Sequence, residues 1–199
     1  MLFLTHALEQ AQERRDVVPW VVVSIHKPMY CSAQGAPGGY AALLEATMIK
    51  YDVDLYLTGH LHIYERVHPV QNGLVTVYPE SFDGVDLYRA SGRGPVQVVQ
   101  GNAGGMQFEK WQQPQPEWSA VRMANGFIPK NKTSEEVGVS AKGIIDDIKL
   151  LKDYHYVDTY GFGVATFVNA THLYYQNVPV EHEKTGPGYD SFWVVKAHA

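Results

Sequence analysis

The chain has 199 residues, with 16 Lys and Arg against 21 Asp and Glu for a formal net charge of −5, and is 45% hydrophobic and 19% charged. That is an ordinary globular balance, enough for one domain with a sizeable core. The charges are dispersed, so no basic stripe points to nucleic acid and no acidic run to a solvating tail. The longest strongly apolar stretch, Val17 to Ile25, contains Pro19 and is far too short for a membrane span.

Leu4, Leu8 and Ala11 fall on one face at helical spacing, which predicts an amphipathic helix over residues 2–15. Glu9, Glu13, Arg14, Arg15 and Asp16 follow the apolar Met1–Leu4 at once. There is no basic segment leading into an apolar core of roughly 7–15 residues, so this beginning does not read as a secretory signal. Val17 to Ile25 reads as a buried strand covered on both sides, because it is too continuously apolar for one wet face. Gly38-Gly39 opens a second helix with Leu43, Leu44, Thr47 and Met48 on one face, and Val53 to Thr58 is another short strand. Strand, helix, strand at this spacing predicts a layered α/β unit.

Beyond residue 68 the pattern turns to β. Leu74 to Tyr78 and Val96 to Gln100 read as strands, Tyr160–Val168 and Leu173–Val178 as a hairpin about Asn169-Ala170-Thr171-His172, and Phe192 to Val195 as a final strand. The intervening 104–159 is less regular, with a loop at Pro114 and Pro116 and a helix expected at about 140–152. Cys31 is the single cysteine, so no intrachain disulfide is possible, and no cysteine-centred phosphatase loop surrounds it. Asn131-Lys132-Thr133 and Asn169-Ala170-Thr171 are glycosylation sequons.

Chemistry concentrates in Val23-Ser24-Ile25-His26 and Gly59-His60-Leu61-His62. In each, histidine follows the expected end of a buried strand, where ligands collect in parallel α/β sheets. Spacing of two residues would place His60 and His62 on one side of an extended backbone, with Gly59 supplying an unusual backbone angle beside them. Neutral imidazole suits zinc, iron, copper and nickel. With nine histidines in the chain, one His-x-His pair is unsurprising by itself. His6, His68, His155, His172, His182 and His198 lack such context and read as surface or structural residues.

The longer strings Pro19-Trp20-Val21-Val22-Val23-Ser24-Ile25-His26-Lys27-Pro28-Met29-Tyr30-Cys31-Ser32 and Asp54-Leu55-Tyr56-Leu57-Thr58-Gly59-His60-Leu61-His62-Ile63-Tyr64-Glu65-Arg66 resemble the fourth and fifth metal-binding blocks of the purple acid phosphatases, within the calcineurin-like metallophosphoesterases. Gly101-Asn102-Ala103-Gly104-Gly105 and the stretch from Tyr160 to Trp193 resemble that family's C-terminal region. The resemblance implies an α/β fold, part of an αββα sandwich with a β-rich C-terminal half. It also implies a single incomplete domain over 1–199, in which 1–68 supplies strands, helices and metal-site loops and 69–199 the β-rich part. By position, His26 and His60 would bind a divalent ion and His62 a ferric ion, with Tyr64, Glu65 and Arg66 as outer partners. The implied cofactor is Fe(III) paired with Zn, Fe or Mn, the implied substrate a phosphate monoester, and the implied location secreted, lysosomal or vacuolar.

Departures from the family pattern carry equal weight. No Gly-Asp pair and no Gly-Asn-His occurs, so the aspartates, tyrosine and asparagine of the first three blocks are missing. Gly101-Asn102 continues into Ala103 and reads as a tight glycine-rich turn. Residues 27–59 contain no histidine that could serve as proton donor, and Ser32 and Gln34 remain as groups able to hydrogen-bond phosphate. The expectation is therefore a C-terminal portion of a phosphatase, inactive alone. The alternative is a non-catalytic β-rich module of phosphatase ancestry.

Overall fold

The structure is a computed structural model and describes residues 2–104, 111–124, 126–129, 154–157, 160–180 and 189–196. Leu8 is the buried residue of α1 (Leu2–Gln12), with Leu4 and Ala11 packed partly beside it. After β1 (Val22–Ser24), Gly39 takes the left-handed φ of 86° that starts α2 (Tyr40–Lys50). Glycine adopts that angle without steric cost, and Lys50 in the last turn suits the negative end of the helix. Leu44 and Met48, four residues apart, form the buried stripe of α2, whereas Leu43 is 61% exposed and lies off that face.

Both helices cover one side of a five-stranded sheet ordered β1, β2 (Leu55–Thr58), β8 (Val96–Gln100), β3 (Ile63–Val67), β9 (Ser119–Ala124). The strands β1, β2 and β8 run parallel, while β3 and β9 are antiparallel additions. Side chains alternate across the pleat: Tyr56 joins Val23, Leu44 and Met48 under the helices, while Leu55 faces the other way. On that second face lies another five-stranded sheet, ordered β12 (Gly161–Phe167), β13 (His172–Pro179), β14 (Asp190–Val195), β7 (Val85–Tyr88), β6 (Glu80–Phe82). Leu55, Tyr64, Val96 and Val98 from the first sheet meet Tyr88, Leu173, Tyr175, Phe192 and Val194 from the second. Each large apolar side chain buried in such a core contributes roughly 1.5–3 kcal/mol. The short pairs β4 (Val70–Gln71) with β5 (Leu74–Val75), and β10 (Gly126–Pro129) with β11 (Tyr154–Val157), are separate ribbons.

The fold is thus α/β with mixed, β-rich sheets, as the sequence predicts, but several elements differ. The first strand shrinks to three residues at a sheet edge with Val22 and Ser24 exposed, and Val17 is 72% exposed, so this apolar run is not covered on both sides. Leu74 to Tyr78 yields only the two residues of β5. The hairpin of β12 and β13 and the strands β8 and β14 match their expected positions. The helix expected at 140–152 lies outside the described residues. One buried ionic cluster ties the chain's two ends together: Asp54 accepts from the Val21 N–H at 2.7 Å, Arg15 Nη1 at 2.7 Å and Lys196 Nζ at 3.0 Å.

Candidate metal centre

His26 and His60 each lie two residues beyond the end of a parallel strand, β1 and β2 respectively. Strand-like pairing continues past those ends, with Ile25 N–H donating to Leu57 O at 3.0 Å and Gly59 N–H to His26 O at 3.2 Å. The two imidazoles are thereby brought together. His60 Nδ1 lies 3.0 Å from His26 Nε2, with ring centroids 4.9 Å apart and planes at 88°. The two ring nitrogens are within hydrogen-bond distance, and the tautomers decide which of them donates.

The segment between His60 and His62 is a tight turn rather than extended chain, held by Leu61 N–H to Gly59 O at 2.8 Å and Ile63 N–H to Leu61 O at 2.9 Å. The unusual backbone angle falls on His60 itself, at φ 63°, and not on Gly59. A left-handed conformation costs a non-glycine residue on the order of 1 kcal/mol or more, and such strain concentrates at functional sites. His62 is half-buried, and its Nδ1 is buried without a hydrogen-bond partner. Among the described residues, Thr58 Oγ1 is the other such side-chain atom, and it flanks the same turn. Buried polar atoms are normally partnered, so the turn carries unmet donor and acceptor capacity.

The three residues after Ile63 alternate across β3. Tyr64 and Arg66 point between the sheets to Asp190, with Tyr64 O–H donating to Oδ2 at 2.7 Å and Arg66 Nε and Nη2 donating to Oδ2 and Oδ1 at 2.9 and 3.1 Å. Arg66 Nη1 also reaches Asp86 at 2.8 Å and donates to the Tyr88 hydroxyl at 2.9 Å. Glu65 points the opposite way and is fully buried, accepting from Ser32 N–H at 2.9 Å and from the hydroxyls of Ser32 and Ser119 at 2.6 Å each. These bonds anchor the strand that His62 enters and the loop that His26 opens. Ser32 is fully buried on Glu65 and cannot meet a phosphate, and exposed Gln34 donates to Trp111 O at 3.4 Å.

Asn169 is exposed in the hairpin turn, its Oδ1 accepting from the N–H groups of Thr171 and His172 at 2.8 and 2.9 Å. Asn131 lies outside the described residues. Asp190, which anchors Tyr64 and Arg66, had no local sequence signal because its partners stand 124 and 126 positions away.

Among the described residues, no group of three or more His, Cys, Asp and Glu side chains is gathered to hold an ion alone. The donors present nevertheless fit zinc or iron: two imidazoles whose ring nitrogens meet at 3.0 Å, with the unpartnered Nδ1 of a third on the adjoining turn.

Residues 94–128, covering β8, the turn after it and β9, match the family model described as iron/zinc purple acid phosphatase-like protein C. The chain is 28% identical to human acid phosphatase type 7 over 98% of its own length and 38% of that protein's. It is 32% identical to purple acid phosphatase 1 of Ipomoea batatas over 66% of its length and 28% of that protein's. The chain is similar to the purple acid phosphatases. A relative from Arabidopsis thaliana, 32% identical over 60% of this chain, is named Fe(3+)-Zn(2+) purple acid phosphatase 12. The fold agrees as well: a purple acid phosphatase from yellow lupin seeds superposes with a TM-score of 0.61 at 20% identity, covering 98% of this chain and 28% of that one. The chain thus spans well under half the length of these relatives, and the matched portion is consistent with the C-terminal part of a purple acid phosphatase.

Proposed function

We propose that this chain supplies the histidine ligands of a binuclear metal centre in an acid phosphatase that hydrolyses phosphate monoesters. The observation that carries this reading is the His26–His60 pair at 3.0 Å beside the unpartnered Nδ1 of His62. His26 and His60 would hold a divalent zinc, iron or manganese ion and His62 a ferric ion, in line with the metals named for the Arabidopsis relative. Bound there, the ions would supply Lewis-acid activation of phosphate and water. The chain's own part is to orient the donors: β1 and β2 aim two imidazoles at one point, and β3 fixes the third. Glu65 secures the His26 loop through Ser32, and Asp190 secures β3 through Tyr64 and Arg66.

Three imidazoles shared between two ions leave both without anionic ligands, and the 199 residues contain neither Gly-Asp nor Gly-Asn-His. On this reading the remaining ligands come from further sequence, 1–199 is part of one larger domain, and the chain alone is a poor phosphatase. The family's secreted, lysosomal or vacuolar location belongs to the same proposal, and exposed Asn169 is its glycosylation site. The test assays an aryl phosphate with zinc, iron or manganese supplied, using residues 1–199, a longer chain carrying the missing blocks, and that longer chain with His60→Ala. Activity in the longer wild-type chain alone is the expected result. A longer chain that binds both ions without turnover would instead establish the non-catalytic module.

A further inference from the structure

The parallel strand β8 ends one residue before Gly101, on the same sheet edge where β1 and β2 deliver the imidazoles. Gly101 N–H donates to Ile63 O at 2.9 Å, which lays its Cα against the back of the His60–His62 turn. A β-carbon at Gly101 would fall inside the carbonyl oxygen of Leu61, 2.8 Å from its carbonyl carbon and 3.4 Å from His62 Cα. One side of this contact would therefore have to retreat by about an ångström or more to restore an ordinary separation of roughly 3.5 Å.

The Gly101 side is the rigid one. Gln100 Nε2 donates to Asn102 Oδ1 at 2.5 Å and to Asn177 Oδ1 at 2.7 Å, and Gln100 Oε1 accepts from Tyr175 O–H at 2.6 Å. Asn102 is fully buried, and its carbonyl accepts from Gly161 N–H at 3.1 Å. Buried amides thus clamp both neighbours of Gly101 to the second sheet. The opposing turn has a left-handed His60 and two unpartnered buried atoms, so it is the side that yields.

We infer that Gly101 is a positioning residue for the imidazole pair: its missing side chain lets β8 seat the His60–Leu61–His62 turn so that His60 reaches His26. Its bearing on a metal centre rests on the function proposed above, but the seating itself is testable without metal. In the metal-free 199-residue chain, the rings of His26 and His60 should show proton cross-relaxation. Gly101→Ala should abolish it and shift the ring nitrogen resonances of His60 and His62, while the methyl resonances of Leu173 and Val194 in the core stay in place. Gly38→Ala, where an added methyl meets nothing within 4 Å, should behave as wild type. A folded Gly101→Ala chain with the cross-peak at full intensity overturns the inference. Should that variant fail to fold, a denaturant series on the wild type decides. The Gly101 amide and the ring cross-peak should be lost together, and a cross-peak that outlives protection of that amide overturns the inference. A zinc titration of the longer chain carrying the missing blocks separates the two ideas: rings of His26, His60 and His62 unmoved by zinc there defeat the metal reading and leave the seating result standing.

Discussion

His60 Nδ1 and His26 Nε2 stand 3.0 Å apart although 34 positions separate them in the chain. Parallel pairing of β1 with β2 closes that gap, because Ser24 is in register with Leu57 and both histidines leave the sheet at one edge. Two donors on one ion lose their value together when either is removed. His26→Ala and His60→Ala should each weaken zinc binding by at least the roughly tenfold lost with an outer partner. The double variant should be little worse than either single one, a non-additivity typical of contacting residues. Calorimetric titration of zinc into the four chains is the check, and strictly additive losses would mean that the two rings serve separate ions.

Asp190 and Arg66 are 8% and 3% exposed at their side chains, and the pair joins β14 to β3. Removing one partner of a buried pair strands the other charge and typically costs about 3–5 kcal/mol. Asp190→Ala should therefore lower the urea midpoint severely. Glu80→Ala breaks a pair in which both side chains are more than half exposed, and should stay within about 1 kcal/mol of wild type. Similar losses from the two substitutions would contradict this ranking.

The meeting of His26 with His60 was legible in sequence because its pattern is local: a short strand, then histidine, twice. Strand β8 and the β12–β13 hairpin were legible from apolar residues and a polar turn. What stayed hidden depends on distant partners. Nothing near Val17 shows that its run ends at a sheet edge, and nothing near Asp190 shows that it receives Tyr64 and Arg66. The same holds for Gly59 and His60. Glycine is the residue expected to bend, yet the left-handed angle sits on the histidine that must turn back toward His26.

His68 lies half-buried against Tyr78 and Tyr88, and its Nδ1 is 2.8 Å from the Tyr88 hydroxyl. Burial, followed by the Arg66 charge, lowers its pKa from 6.5 to about 4, against opposing pulls from Asp86 and Glu117. The folded state then binds fewer protons than the unfolded state between those values. Stability from this residue is complete above about pH 6.5 and is lost as pH falls toward 4. His68→Gln should flatten the fall in urea midpoint over that window, carboxylates being common to both chains. Parallel profiles for wild type and variant would remove His68 from the acid response.

Glu65 is fully buried, and three donors converge on its carboxylate: Ser32 N–H, Ser32 O–H and Ser119 O–H. Ser32 lies in the loop opened by His26, so this carboxylate joins that loop to the strand entered from His62. Glu65→Gln places one amide nitrogen among the donors. The two hydroxyls can rotate to accept from it, whereas the Ser32 N–H cannot, so the amide nitrogen should settle on the hydroxyl side. The cost is then the difference between charged and neutral hydrogen bonds, about 1–2 kcal/mol. Glu65→Ala offers no such refuge and strands all three donors, for about 3 kcal/mol or more. Amide exchange separates an anchored loop from general weakening. In Glu65→Ala the Ser32 N–H should lose protection well beyond the change at Val96 and Val98 of the central strand, and in Glu65→Gln it should keep most of it. Equal loss at Ser32 and at those valines would show that the carboxylate supports the fold as a whole and does not fix the loop beside His26.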